Sequence, residues 1–219
     1  MPDFFSPKIA ARLPVHTAPL VEATVENLIG YGAIVRGDYH AFPIEVVTWP
    51  AAGWRAVDEG TGNEGGTVEG VFHAWWCGNI LYGHNNAVKD TAVSHYLLGW
   101  SEQPEEAMAD RVGAQREQVL LWHANYHPDG GQLFYPLDGK PFVLPLAPPG
   151  DDVKLEHFVG FYCDGSFGVY IHPGIWHEGV FPASESARFF DKQGRVHARI
   201  SCDFIKEFGS YLSVPLIKP

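Results

Sequence analysis

The chain has few of the residues that build covalent or metal-clamped scaffolds. Of its 219 residues only three are cysteine, Cys77, Cys163 and Cys202, and none form a C-x-x-C pair. An odd, scattered set argues against a disulfide framework and a zinc ribbon; three small apolar residues buried in strands is the simpler account. Basic residues are also scarce. Fifteen Lys and Arg stand against 26 Asp and Glu, a net charge of −11. Such a surface repels phosphate backbones and argues against nucleic acid as a partner. No apolar run approaches the roughly 18 residues of a membrane-spanning helix. The opening MPDFFSPKIAARLPVH lacks the basic-then-apolar layout of a secretion signal. The expectation is a cytoplasmic protein without a membrane partner.

What is abundant points to β-structure. Apolar residues make up 46% and aromatics 14%, with 24 Gly and 17 Pro to punctuate them. Segments such as IEVVTW (44–49), EGVFHAWW (69–76), SHYLLGW (94–100) and QVLLWHA (118–124) are β-branched or aromatic and end at Gly, Asn or Asp. From 118 onward, short apolar runs alternate with turns such as DGK, DGSFG and DKQGR. This spacing predicts an all-β antiparallel barrel or sandwich, without parallel βαβ units. No linker or repeat divides the chain, so one domain over 1–219 is expected, with an irregular arm over 1–16 and core motifs over 118–205. Two short helices are predicted at its periphery. One is capped by Thr17 and runs toward Leu28; the other follows Ser101 in EQPEEAMADR.

Eleven histidines are many for this length, and several sit in strand-like segments. Asn125-Tyr-His127 is followed after four residues by Gln132 and after six more by Gly139. Farther on stands Gly168-Val-Tyr-Ile-His172-Pro-Gly174-Ile-Trp176-His177. Residues i and i+2 of a strand face one side, so Asn125 and His127 are expected to point inward together. Gln132 returns after a tight PDGG turn, and His177 is expected from a strand across the barrel. Glu178 alternates with His177 and is expected to face outward. His123 shares the parity of Asn125 and His127, but a structural role is the simpler reading for it, as for His73, His84, His95 and His157.

These two segments resemble the paired motifs of the cupins, with Asn125 in place of the first His, Gln132 in place of the Glu and His172 in place of a Pro. They are more similar to one branch, the ureidoglycolate lyase family. Its H-P-x-G-x-Q-x-F-x-P is matched by His127-Pro-Asp-Gly-Gly-Gln132-Leu-Phe-Tyr-Pro136, and its H-x-x-x-W-H by His172-Pro-Gly-Ile-Trp176-His177. Tyr31-Gly32 matches its amino-terminal Tyr-Gly. Two positions depart: the family has Glu where Asn125 stands, and commonly a second His where Glu178 stands.

The resemblance implies a cupin-type jelly-roll barrel and a carbon–nitrogen lyase of purine and allantoin catabolism. Its partner is a small carboxylate such as ureidoglycolate, which it cleaves to glyoxylate and urea, and a homodimer is expected. His127, His177 and His172 are the candidate acid–base groups, with Asn125 and Gln132 binding substrate. His127, Gln132 and His177 are the candidate holders of a weakly bound divalent ion (Ni, Zn, Mn or Fe), because neutral amides are poorer ligands than the imidazole and carboxylate they replace. Two rival readings are a metal-dependent cupin dioxygenase or isomerase, and a cupin that only binds a metabolite.

Overall fold

The computed structural model describes residues 12–48, 53–62, 64–87 and 95–219. They form two curled sheets packed face to face, a nearly all-β, cupin-like fold. The spine of the larger sheet is the long strand Glu64–Cys77 against Ser186–Val196, with Phe72 opposite Phe189. Ser186–Val196 also pairs with Gln132–Pro136, and the sheet continues through Gly168–Ile171 to Gly32–Val35 at its edge. The smaller sheet places Ile200–Asp203, His123–Tyr126, Trp176–His177 and Phe142–Ala147 side by side. Phe72, Phe142, Phe161, Phe181 and Phe189 fill the space between the sheets. No helix among the described residues is long and apolar enough to cross a membrane.

Three expectations need correction. The helix from Thr17 does not form. Val15–Thr17 and Leu20–Glu22 are short edge strands, laid parallel to Tyr211–Pro215 and Val159–Cys163. Helical spacing of apolar residues loses here to the backbone hydrogen bonds offered by two open sheet edges. Only one helix-like turn remains, where Leu28 N donates to Thr24 O and the Thr24 hydroxyl accepts from Asn27 N. The sheets are therefore mixed rather than purely antiparallel.

The helix after Ser101 shrinks to a 3₁₀ turn, Pro104–Glu106. The buried side chain of Asn79 donates to Glu106 O and accepts from Met108 N, which ties that backbone down in place of helical bonds. IEVVTW supplies only one isolated bridge, Val46 to Gly130, and its last residue lies outside the described residues. Most of the predicted arm, residues 1–11, lies outside them too.

Candidate functional site

Three neighbouring strands of the smaller sheet put His177, Asn125 and Ser201 in one row, as direct cross-strand partners. Directly paired residues share a face, so all three point between the sheets. His123 and His127 flank Asn125 on the same strand line. Past His127 the chain leaves this sheet through Pro128-Asp-Gly-Gly and enters the larger sheet at Gln132. The two glycines are needed for space. A side chain at Gly131 would collide with the Tyr170 hydroxyl, and a Cβ at Gly130 would lie 2.7 Å from the His197 ring. The crossing brings Gln132 to His177: Nε2 of the imidazole lies 3.3 Å from Oε1 of the amide. His177 thus comes from the strand beside Asn125, not from across the barrel. Gln132 is the residue that arrives from the opposite sheet.

Backbone carbonyls fix both imidazoles. His177 Nδ1 lies 2.7 Å from Ile175 O, and His127 Nδ1 lies 3.2 Å from Ala198 O. A neutral ring bonded in this way carries its proton on Nδ1, which leaves the Nε2 lone pair for chemistry. Burial, with His197 and His177 nearby, holds His127 well below the usual imidazole range. Burial takes His177 down to about 4. Both rings are neutral bases at physiological pH. They are also adjacent, with centroids 5.0 Å apart, and the His197 ring stacks on His127 at 4.2 Å. The two rings come from adjacent strands of one sheet and stand on the same side of the space between the sheets.

Gln132 is oriented by a group the sequence reading missed. Its Nε2 donates to Asp191 Oδ1 at 2.9 Å, and Asn85 and Gln193 donate to Asp191 Oδ2 at 2.7 and 3.1 Å. Burial pushes the Asp191 carboxyl above its usual range, while the amides that donate to it pull the other way. The signal lay in the parity of Ser186–Val196, where Phe189, Asp191 and Gln193 alternate on the face toward the opposite sheet. A charged residue continuing a buried aromatic row marks a polar interior.

Glu178 does not face outward. The two-residue strand ends at His177, and the Glu178 carboxylate turns in to lie 3.2 Å from both Asn125 Nδ2 and His123 Nδ1. Burial raises it to about 7 and takes His123 down to about 3. Asn125 therefore serves the Glu178 carboxylate. His172, in contrast, stays out of the cluster. It is exposed, its ring meets Tyr170 edge-on at 5.4 Å, and its backbone N–H bonds Tyr31 O. Position 172 lies just past the strand Gly168–Ile171, with parity that turns its side chain to solvent. Asp129 and His197, also missed, brace the crossing: Asp129 Oδ2 accepts from Ala198 N and His197 Nε2 accepts from Gly194 N.

His127, His177 and the Gln132 carbonyl could offer an ion two imidazoles and one amide oxygen. Among the described residues no three His, Cys, Asp or Glu side chains are grouped to hold a metal. As ligands these three would make a weak, incomplete set for a divalent ion.

Residues 98–204 match the ureidoglycolate lyase family model. A ureidoglycolate lyase of Azotobacter vinelandii is 38% identical over 79 residues, 35% of this chain and 46% of that protein. One of Pseudomonas fluorescens is 34% identical over 102 residues, 44% of this chain and 59% of that protein. One of Pseudomonas savastanoi is 39% identical over 70 residues, 31% and 41% respectively. The chain thus spans about half the length of the curated relatives it matches. The matched segment contains Asn125, His127, Gln132 and His177 together with Asp191 and Arg199. Over residues 98–204 the chain is similar to the ureidoglycolate lyase family.

Proposed function

We propose that this protein is a carbon–nitrogen lyase that cleaves ureidoglycolate, or a closely related hydroxylated ureido acid, to an oxoacid and urea. One observation carries this reading. His127 and His177 are neutral, adjacent, fixed through Nδ1, and set beside an amide whose orientation Asp191 dictates. The family match and the relatives' names support the substrate.

The substrate is a carbinolamide, with hydroxyl, carboxylate and ureido nitrogen on one carbon. It breaks apart when the hydroxyl gives up its proton and the nitrogen gains one. Nε2 of one imidazole takes the hydroxyl proton. The oxygen's electron pair then forms the carbonyl of glyoxylate, while the C–N pair stays on nitrogen. The imidazolium, disfavoured by burial, gives its proton to that nitrogen and urea leaves. Atoms balance without water. Because the rings share one side, base and acid work follow in sequence there. Gln132 Oε1, near His177 Nε2, is placed to accept from the substrate hydroxyl or a ureido N–H. A divalent ion would have to use His127, His177 and the Gln132 carbonyl, and no step above requires one. The homodimer and the cytoplasmic location expected from the sequence remain part of this reading.

The test is release of glyoxylate and urea from ureidoglycolate by the purified protein, with and without added Ni, Zn, Mn or Fe. No release under either condition would exclude this substrate. Inertness toward related carbinolamides as well would end the lyase reading.

A further inference from the structure

The larger sheet turns one more polar group toward the histidines, and no step above uses it. The strand Tyr96–Trp100 lies beside Ile80–Asn85, with Tyr96 paired directly to Gly83. Two residues on, Asn85 shares the inner face with Gly83 and donates to Asp191 Oδ2 at 2.7 Å. The alternation along the strand settles which way Tyr96 points. Leu97 joins the outer cluster around Trp100 and Trp122, whereas Tyr96 packs with Leu98 and Phe72 against the core between the sheets. Leu98 also abuts the smaller sheet just past Glu178: a Cβ at Gly179 would lie 3.5 Å from it. Burial raises the Tyr96 phenol above its ordinary range, and Glu178 and Asp191 add to the shift, so the group stays a neutral O–H donor. Among the described residues its hydroxyl has no hydrogen-bond partner. Tyr96 is half-buried where Leu98 is buried, so part of its side chain borders open space. An interior hydroxyl without a partner costs stability, and folded proteins keep such groups chiefly where function needs them.

We infer that Tyr96 is a further catalytic residue, whose O–H donates to the ureido carbonyl of the substrate and so decides which end of the molecule enters between Glu178 and Asp191. The substrate has one anionic end and one neutral end. Two carboxylates repel the anionic end from this part of the cluster. The ureido group suits it, because its N–H groups match carboxylate oxygens and its carbonyl matches a phenol. When the C–N bond breaks, its electron pair stays on nitrogen and is shared with the adjoining carbonyl. That oxygen gains negative charge at the moment of cleavage, so a donor set there stabilises the transition state more than the bound substrate. The leaving nitrogen still takes its proton from the imidazolium and the phenol keeps its own, so the reaction balances as before. Tyr96 belongs to the larger sheet and the two histidines to the smaller. The reacting bond lies between them. This role rests on the lyase reading for its substrate, but the ureido contact can be read without turnover.

Tyr96→Phe removes the hydroxyl and keeps the ring. The variant should melt at or above the wild-type temperature, because an unpaired hydroxyl leaves the interior. Its kcat on ureidoglycolate should fall by about 100-fold, the usual weight of one oxyanion donor, with KM little changed. A hydroxyl that only supports the fold gives the reverse, a lower melting temperature with kcat kept, and that result overturns the assignment. A Phe variant that does not fold overturns it for the same reason. The contact itself is read with N-methylurea, the neutral end of the substrate, titrated into both intact proteins by NMR. Wild type should bind it, and Tyr96→Phe should bind it roughly three- to tenfold more weakly, the range for a neutral hydrogen bond. Equal affinity in the two proteins, or no binding to wild type, overturns the assignment. Turnover separates this from the lyase reading. Cleavage by wild type with kcat unchanged in Tyr96→Phe sinks the Tyr96 role alone. Tyr96-dependent binding of N-methylurea without any cleavage of ureidoglycolate sinks the lyase reading and leaves the ureido contact standing.

Discussion

The side-chain amide of Gln132 is oriented by one carboxylate: Nε2 donates to Asp191 Oδ1 at 2.9 Å, which turns Oε1 toward His177 Nε2 at 3.3 Å. The carboxylate thereby decides which atom the histidine and the substrate meet. In Asp191→Asn, one amide oxygen cannot accept from Gln132, Asn85 and Gln193 together, and its own N–H groups face donors. We expect a stability loss of about 1–3 kcal/mol from the unsatisfied donors. We also expect a drop in kcat larger than the change in KM. Chemical denaturation and steady-state kinetics on the same preparation test this. A variant as stable and active as wild type would remove Asp191 from the site.

Replacing His127 or His177 by Ala should cut turnover by about 100-fold or more, the usual range for general acid–base groups. The rings touch the same side of the ligand, so their effects should not multiply. The double variant is expected to be little worse than the poorer single one, because one proton passes through a shared station. Fully additive losses in a double-mutant cycle would mean that the two histidines act on separate steps. His172→Ala, exposed and apart, should leave kcat within about twofold, as for a surface substitution away from the chemistry.

Glu178 gives a pH signature. Burial raises its folded value to about 7 from 4.5. Between those values the folded state holds a proton that the unfolded state releases, so stability falls as pH rises across that window. His177, taken down to about 4 from 6.5, acts in the opposite sense. There the unfolded state holds the extra proton, and stability rises with pH from about 4 to 6.5. His127 and His123, also lowered, act in the same sense as His177, so in wild type the Glu178 trend is subtracted from a net rise. Glu178→Gln removes that trend and keeps a hydrogen-bonding oxygen for Asn125. Its melting temperature should therefore climb more steeply than wild type from pH 4.5 to 6.5. Parallel melting curves across that range would show that Glu178 does not titrate in the folded protein as proposed.

Two imidazoles and an amide oxygen make a modest-affinity set for a transition ion. Elemental analysis after purification should find well under one equivalent of Ni, Zn, Mn or Fe, removable by a chelator. A full equivalent that survives chelation would mean that further ligands join.

The site was partly legible because strand periodicity is local. Asn125 and His127 two apart, and Gln132 after a four-residue turn rich in glycine, can be read from a dozen residues of sequence. What joins them is not local. The pairing of His177 with Asn125, the inward turn of Glu178 where its strand ends, and the Asp191 support all depend on which strands become neighbours. No short window of sequence contains that. Thr17 to Leu28 failed for a related reason: its apolar spacing suits a helix, but two exposed sheet edges elsewhere in the chain claim its backbone. His172 was a candidate by motif position, yet it continues the parity of Tyr170, on the face of the strand turned away from the cluster.

The pairing of Glu64–Cys77 with Ser186–Val196 joins segments more than a hundred positions apart, and Gln132–Pro136 lies against the second of them. The Asp191 carboxylate cannot meet Gln132 and Asn85 until that long closure is made. Contacts between such distant segments form slowly, because the entropy of closing the intervening chain must be met first. During refolding, local hairpins such as Glu64–Cys77 with Ile80–Asn85 should give their spectroscopic signal early. Catalysis should return with a lag, in step with burial of the distant partner strand.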